Sequence, residues 1–261
     1  MPKFAANLSM MFVEVPFLER FAAAKAAGFA AVEFQFPYGF AIADVAARVR
    51  DNGLQVILFN LPPGDFDKGD RGIACLPGRE AEFAKGIDTG LAYAAALGCK
   101  KMNCLAGIRP STLAKPKALD TLLENVELAA SRLTAEGVSL LIEPINPHDI
   151  PGFLLNSSAD GIAVMDALAS SRIALQYDVY HMQRVEGELS ATLQRLMPRI
   201  GHIQIADAPS RHEPGTGEVN FHHVLRHIDA LGYDGWIGCE YRPKTTTMEG
   251  LGWIAEHGFS L

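Results

Sequence analysis

Glu143 and Glu240 are the residues of this sequence whose type and setting suggest proton-transfer chemistry. Glu143 follows a short apolar run at residues 139–142, and Glu240 follows another at residues 236–239. Runs of this length are typical of strands buried on both faces. Pro144 holds the residue before it in an extended conformation and cannot donate to a sheet, so Glu143 is expected where a strand ends. Two carboxylates placed in this way can act as a general acid and a general base.

Two further apolar runs end in oxygen-bearing side chains, Asp178 after residues 173–177 and Gln204 after residues 200–203. Carboxylates that converge repel each other unless positive charge lies among them, because like charges raise each other's pKa. Oxygen ligands without a thiolate favour Mg²⁺ or Mn²⁺, with Co²⁺ as an alternative, over structural zinc. The sequence therefore predicts a divalent-cation site made of Glu143, Asp178, Gln204 and Glu240, and the alternative is a surface cluster of unrelated acids.

Such a site suits the isomerisation of an α-hydroxycarbonyl compound. A bound cation polarises a carbonyl and so acidifies the neighbouring C–H. Moving the proton between the two carbons then needs a base on one side and an acid on the other. Glu143 and Glu240 are the natural pair, because an amide such as Gln204 cannot carry a proton and Asp178 has less reach.

The elements that must position these residues alternate between strand and helix. The predicted strands are residues 3–8, 31–34, 55–60, 101–104, 139–142, 173–177, 200–203 and 236–239. The predicted helices are residues 16–27, 41–52, 79–97, 113–136, 158–168, 187–197 and 221–231, with a last one from residue 247. Eight strand–helix units in a chain of 261 residues predict an α/β fold, a single (β/α)8 TIM barrel, with residues 1–261 as one domain.

Every predicted strand finishes in a polar side chain that can bind a ligand. In chain order these are Asn7, Glu33, Asn60, Asn103, Glu143, Asp178, Gln204 and Glu240. In this fold the active site forms at the carboxyl ends of the strands. Chains also become polar wherever they leave a core, but the recurrence of carboxylates and amides at all eight ends favours a functional interpretation.

Composition limits the classes of partner. Hydrophobic residues make up 49% and charged residues 20% of the chain, which is typical of a globular protein. The net charge of -7, with Lys and Arg spread thinly, predicts neither a nucleic-acid nor a membrane partner. The four cysteines form no CxxC pair, and no signal-peptide or bilayer-length apolar run is present, so a reducing, cytoplasmic location is expected. The oligomeric state is left open, a homo-oligomer included.

A substrate carboxylate would need a cation. Residues 61–78 form a long predicted loop, and loops of this length in compact domains are usually functional. Arg71 lies in this loop, and Arg211 follows the predicted strand 200–203; both are favoured as substrate-binding residues, because guanidinium groups bind carboxylates in a bidentate manner. Arg109 and Arg242 are alternatives.

Several blocks of the sequence resemble the hydroxypyruvate isomerase family of xylose-isomerase-like TIM barrels. The similarity covers nearly the whole chain and is carried by residues 6–10, 36–38, 60–62, 71–79, 142–146, 176–183, 202–207, 213–218 and 238–241. The resemblance implies interconversion of hydroxypyruvate and 2-hydroxy-3-oxopropanoate, a small keto or hydroxy acid. It also implies Glu143 and Glu240 as proton donor and acceptor, with Glu143, Asp178, Gln204 and Glu240 around the metal.

The resemblance extends to substrate contacts. Related ketose epimerases have an acid shortly after the first catalytic Glu, a His just after the Asp ligand and an Arg further on, and Asp149, His181 and Arg211 match them. His181 follows Asp178 by three residues and is expected in a loop. The same epimerases have a histidine where Gln204 stands.

Three alternatives to a three-carbon isomerase remain. The same site would suit a four-carbon 2-oxo sugar acid, such as a 2-oxo-tetronate. A DNA-repair endonuclease of the same superfamily would need a His-rich multi-zinc cluster and a basic groove, which the acidic charge opposes. The last alternative is a non-catalytic binding protein on a barrel scaffold.

Overall fold

The computed structural model describes residues 1–169 and 172–261, and the strands of this part of the chain close into one parallel barrel. The strands are β1 (Lys3–Asn7), β2 (Ala31–Glu33), β3 (Gln55–Asn60), β4 (Lys101–Cys104), β5 (Ser139–Ile142), β6 (Ile173–Asp178), β7 (Ile200–Ile205) and β8 (Trp236–Cys239). Each strand pairs in parallel with the next along the chain, and β8 pairs with β1 to close the barrel.

Helices connect the strands on the outside. They are α1 (Arg20–Ala26), α2 (Ile42–Asp51), α3 (Glu80–Leu97), α4 (Lys115–Ala135), α5 (Ser158–Ala167), α6 (Val179–Val185), α7 (Leu189–Leu196), α8 (Phe221–Ala230), α9 (Thr247–Gly250) and α10 (Gly252–Glu256). The predicted (β/α)8 barrel is therefore confirmed. The long loop between β3 and α3 contains only a 3-10 turn at Phe66–Lys68.

The expectation that His181 lies in a loop is wrong, because α6 begins directly after β6. The Asp178 side chain accepts hydrogen bonds from the backbone N–H groups of Tyr180 and His181, at 2.8 and 3.4 Å. A carboxylate in this position satisfies the free donors of the first helical turn and so starts a helix. Asp178 therefore both ends a strand and fixes the position of the histidine that follows it.

The barrel has two separate apolar regions. The larger region lies between the strands and the surrounding helices. The smaller one fills the inside of the barrel towards the amino ends of the strands, with Ala5, Ala31, Ile57, Leu58 and Leu141, against which Ala174 and Trp236 pack. Alanine at three of these positions leaves room for the larger side chains from other strands.

Strand register brings the polar strand ends together. Cα partners across neighbouring strands include Asn7 with Glu33, Asn60 with Asn103, and Asp178 with Gln204. Parallel strands of a closed barrel present their carboxyl ends at one rim, so residues far apart in sequence become neighbours there. The predicted convergence of these strand ends follows from this register.

The four cysteines are free and buried. Among the described residues, we find no helix with both the length and the apolar character required to cross a membrane.

Gly238 on β8 leaves the space that the Glu33 carboxylate occupies. A Cβ at Gly238 would lie 2.4 Å from both carboxylate oxygens of Glu33, which are held by hydrogen bonds and cannot easily shift. We expect Gly238→Ala to lower the free energy of unfolding by about 1–3 kcal/mol, as overpacking does. Urea denaturation measures the change.

Gly39→Ala is the matched control, because a Cβ there meets nothing within 4 Å. Its free energy of unfolding should stay within about 0.5 kcal/mol of the parent protein, as at other open surface sites. Equal stability of the two variants would show that the Glu33 carboxylate is free to move.

Candidate active site

Glu143, Asp178 and Glu240 lie close together at the carboxyl rim of the barrel. Glu143 directly follows β5, Asp178 ends β6 and Glu240 directly follows β8. Each side chain is almost fully buried, with residue exposures of 5%, 1% and 5%. Glu143 and Glu240 line the same cavity of about 640 Å³. The structure therefore brings together the two carboxylates predicted for proton transfer.

Arg211 is the positive charge that holds this cluster. Its Nη2 atom lies 2.7 Å from Glu240 Oε2 and 3.3 Å from Asp178 Oδ2, and its Nη1 atom lies 3.6 Å from Asp149 Oδ2. Glu143 also interacts electrostatically with this guanidinium. Arg211 thus faces four carboxylates, and the cluster keeps an excess of negative charge.

Burial, together with the excess of negative charge, raises the pKa values of all three rim carboxyls. Burial raises the pKa of Glu143 well above its usual value, and the charges of Glu240 and Asp178 add to the effect. Burial raises the pKa of Asp178 to about 7, with Arg211 opposing it, and burial likewise raises the pKa of Glu240. Carboxyl groups with raised pKa values can hold or release a proton near neutral pH, as acid–base catalysis requires.

Amide side chains orient the two glutamates. Asn103 Nδ2 donates to Glu143 Oε2 at 2.8 Å. Asn7 Nδ2 and Gln35 Nε2 donate to Glu240 Oε1 at 3.1 and 3.0 Å. Asn7 and Asn103 are among the polar strand ends identified in the sequence. Gln35 lies beyond the end of β2, so the pattern of polar strand ends does not identify it.

A buried polar layer lies beneath the carboxylates, inside the barrel. Glu33 accepts hydrogen bonds from Asn7 Nδ2 at 2.9 Å and Gln204 Nε2 at 2.7 Å, and its other oxygen lies 2.7 Å from His202 Nε2. All four residues are at most 2% exposed. The sequence contains a pattern that predicts this layer: His202 and Gln204 are two residues apart on β7, so their side chains point to the same side of the strand.

Gln204 does not join the three carboxylates. Its Nε2 atom donates to Glu33, and its Oε1 atom accepts from Gln176 Nε2 at 2.6 Å. The amide oxygen that would be needed for a cation is therefore already bonded inside the polar layer. Gln204 would offer an oxygen to the rim only if its side chain left the polar layer and gave up its bonds to Glu33 and Gln176.

His181 is brought to the carboxylates by α6. Its Nε2 atom lies 3.5 Å from Asp178 Oδ2 and 3.9 Å from Glu143 Oε1. Ligand atoms of these three residues all lie within 4.8 Å of one another. Burial, together with the positive charges of Arg211 and Arg184, holds the pKa of His181 well below its usual value, so the imidazole is neutral.

Asp149 lies at the edge of the site and helps to hold Arg211. Besides Arg211 it receives a hydrogen bond from the Tyr180 hydroxyl at 3.0 Å, and Arg184 lies 3.8 Å away. The ring of Tyr180 also lies beneath the Arg211 guanidinium, 5.0 Å from it. These contacts indicate that Asp149 positions a cation within the site.

A strained loop carries Arg211 into the site. Arg211 has a φ of 58°, in the left-handed region that most side chains avoid. Asp207 stabilises the surrounding loop, because its carboxylate accepts from the backbone N–H groups of Gly215, Gly217 and Val219 at 2.9, 2.8 and 3.0 Å. Asp207, which lies just beyond β7, thus anchors the loop that contains Arg211.

Arg71 lies on the opposite wall of the cavity, in the long loop after β3. Its Nη1 atom donates to the carbonyl oxygens of Phe66 and Asp70 at 3.0 and 2.7 Å, and its guanidinium stacks 3.7 Å from the centre of the Phe66 ring. Among residues 1–169 and 172–261 it forms no ion pair with a carboxylate. Arg71 is therefore a preorganised cation that faces the cavity.

The donor set fits a divalent cation. Oxygens of Glu143 and Asp178 lie within 4.8 Å of each other and of a His181 nitrogen, whereas Glu240, paired with Arg211, is not part of this group. Carboxylate oxygens are hard ligands, and a second positive charge would relieve the repulsion that Arg211 only partly offsets. Gln204 and Glu240 are the predicted ligands that the structure leaves outside this group.

The sequence and the fold resemble those of known proteins. Residues 21–257 match the family model described as a xylose isomerase-like TIM barrel. The chain is 50% identical to 2-oxo-tetronate isomerase of Cupriavidus necator and 48% identical to hydroxypyruvate isomerase of Escherichia coli, and each alignment covers 97% of this chain and 98% of the relative. A crystal structure from Brucella melitensis, described as an AP endonuclease of family 2, has a TM-score of 0.95 at 41% identity and covers 98% of this chain and 99% of that one.

Proposed function

The chain belongs to the xylose isomerase-like TIM barrel family, and from that premise we propose that it is an isomerase of hydroxypyruvate. It interconverts hydroxypyruvate and 2-hydroxy-3-oxopropanoate. The observation that carries this proposal is the pair Glu143 and Glu240, two buried carboxyls with raised pKa values that line one cavity. The proposal takes residues 1–261 as one catalytic domain.

The reaction needs only proton transfers. One glutamate removes a proton from C3 of hydroxypyruvate, and the electron pair moves to form an enediolate across C2 and C3. The other glutamate delivers a proton to C2, and the hydroxyl proton passes from the oxygen on C3 to the oxygen on C2. The product is an isomer with no net change in protons or electrons, so no redox cofactor is required.

Glu143, Asp178 and Glu240 would hold a divalent cation, Mg²⁺ or Mn²⁺, with Co²⁺ as an alternative. Such a cation supplies Lewis-acid polarisation of the substrate carbonyl. Gln204 completes the predicted set only if its side chain leaves the polar layer and gives up its bonds to Glu33 and Gln176.

Arg71 is the residue we assign to the substrate carboxylate. Arg211 is committed to Glu240, Asp178 and Asp149, whereas Arg71 faces the cavity with backbone carbonyls as its partners. Arg211 and Asp149 therefore contribute mainly by ordering the charged rim, and His181 contacts a substrate oxygen. Arginine suits the carboxylate because its fork binds both oxygens at once.

A 2-oxo-tetronate is the second candidate substrate. The relative from Cupriavidus necator is named for the four-carbon substrate, and the cavity of about 640 Å³ has room for either acid. A nuclease is disfavoured, because in the described part of the chain His181 is the one histidine that lines the cavity, and the net charge is -7. The four free, buried cysteines support a reducing, cytoplasmic location.

Turnover assays on the purified protein test the proposal and separate the two substrates. We expect isomerisation of hydroxypyruvate after chelation to be slow, and to rise by about two orders of magnitude when Mg²⁺, Mn²⁺ or Co²⁺ is added, since Lewis-acid catalysis contributes several kcal/mol. The measurement is kcat/KM for hydroxypyruvate and for 2-oxo-tetronates. A higher value for the four-carbon acids selects the second candidate, and no turnover of either acid contradicts both.

Glu143→Gln and Glu240→Gln should each lower kcat by about 10²–10⁴-fold, the usual contribution of acid–base catalysis. Neither variant should lose stability in urea, because each substitution removes one of several repelling buried charges. Exposed Glu136, at the end of α4 that precedes β5, is the control, and Glu136→Gln should leave kcat unchanged. Full turnover in Glu240→Gln would exclude its acid–base role.

Arg71→Met should raise KM for either acid by about 10–100-fold and leave kcat near the parent value, because hydrogen bonds to charged groups contribute about 1.5–3 kcal/mol. Arg242→Met is the comparison, since Arg242 also lines the cavity but is exposed. A rise in KM for Arg242→Met alone would move the carboxylate contact to that side of the cavity.

A further inference from the structure

Asn146 is a fully buried amide that lies behind the catalytic cluster. It ends the segment Glu143-Pro144-Ile145-Asn146, and none of its surface is exposed. Its Oδ1 atom accepts hydrogen bonds from the backbone N–H groups of His148 and Asp149, at 3.0 and 2.9 Å. Because both partners are obligatory donors, the atom that faces them must be the amide oxygen.

This fixes what Asn146 offers to His181. With its oxygen committed to the backbone, the amide presents its NH₂ group to His181 Nδ1 at 2.7 Å. An amide NH₂ group can donate but cannot accept, so Nδ1 must be the acceptor. In a neutral imidazole one nitrogen accepts and the other carries the hydrogen. The hydrogen of His181 is therefore on Nε2.

The protonated nitrogen points into the site. His181 Nε2 lies between Asp178 Oδ2 at 3.5 Å and Glu143 Oε1 at 3.9 Å, and His181 lines the cavity. Both distances are too long for a strong hydrogen bond, so the N–H group is available to an acceptor in the cavity. The lone pair lies on Nδ1, which faces Asn146, so His181 does not act as a cation ligand through Nε2.

We propose that Asn146 is a positioning residue that fixes His181 as its Nε2–H tautomer, so that His181 presents a hydrogen-bond donor to a substrate oxygen beside Glu143. The donor role rests on the proposed isomerase function, whereas the tautomer does not. As C3 loses its proton, negative charge develops on the oxygen of C2. A neutral N–H donor stabilises that oxygen without bringing a full positive charge among the carboxylates, and a preorganised donor does so without rearrangement.

The substitution Asn146→Asp is expected to change the tautomer of His181 while it keeps the fold of the loop. One carboxylate oxygen can still accept from the backbone of His148 and Asp149, so the turn is retained. The other oxygen is an acceptor, which requires a hydrogen on His181 Nδ1. Asn156→Asp is the matched control, because Asn156 donates to the Ile145 carbonyl of the same segment and does not contact His181.

Two-bond ¹H–¹⁵N NMR correlations on histidine-labelled protein without substrate report the tautomer. We expect the parent protein and Asn156→Asp to show a protonated Nε2 and an unprotonated Nδ1 for His181, and Asn146→Asp to show a protonated Nδ1. His181→Gln assigns the signals by their disappearance. A hydrogen on Nδ1 of the parent protein would overturn the proposal, whether or not Asn146→Asp folds.

Kinetics test the donor role. Asn146→Asp should lower kcat by about 10²–10³-fold, as loss of one transition-state donor does, with a much smaller change in KM and with Asn156→Asp near the parent value. An inverted tautomer with unchanged kcat would overturn the donor role. If the parent protein isomerises neither candidate acid, the proposed function and with it the donor role fail, while the NMR spectra still decide the tautomer.

Discussion

The repulsion among buried carboxylates at the barrel rim is the constraint that shapes the rest of the site. Glu143, Asp178 and Glu240 are almost fully removed from water, and one guanidinium, from Arg211, is shared among them. An isolated ionised carboxylate in such surroundings is costly, so each needs hydrogen-bond donors or a cation. The amides of Asn7, Gln35 and Asn103 supply the donors. Burial, together with the remaining negative charge, raises the pKa values of these carboxyls and makes the site suitable for both proton transfer and cation binding.

The polar layer around Glu33 carries this arrangement down into the barrel. Asn7 donates both to Glu33 and to Glu240, so the orientation of a rim carboxylate is linked to a carboxylate that has no contact with the cavity. The same Glu33 fixes the amide of Gln204. The smaller apolar region, in contrast, lies only towards the amino ends of the strands. The barrel therefore exchanges hydrophobic packing for hydrogen bonds as it approaches the site, although Gln176 Oε1 and His202 Nδ1 are buried without a hydrogen-bond partner in the described part of the chain.

The sequence predicted the barrel and the polar strand ends at its rim, since strand–helix alternation and a polar residue after each apolar run are local patterns with one simple three-dimensional solution. Its failures concern what depends on neighbours in space. Gln204 stands at a strand end as predicted, but the direction of its amide is set by Glu33 and Gln176, residues from other strands. His181 was expected in a loop, but the Asp178 side chain caps a helix there. The roles of Gln35 and Asn146 depend on single hydrogen bonds to Glu240 and His181, and no periodicity in one sequence encodes such pairings.

Arg71 and the two glutamates belong to different parts of the fold. Glu143 and Glu240 leave the rigid strands β5 and β8, whereas Arg71 is carried by an irregular segment and anchored to it through backbone carbonyls and the Phe66 ring. Insertions, deletions or substitutions in such a segment are tolerated far better than changes in a barrel. If the proposed function holds, homologues could diverge in the length of substrate they prefer by remodelling this segment alone, with Glu143 and Glu240 unchanged. In such a protein, substrate specificity can change in the loop while the residues on the strands keep the same reaction.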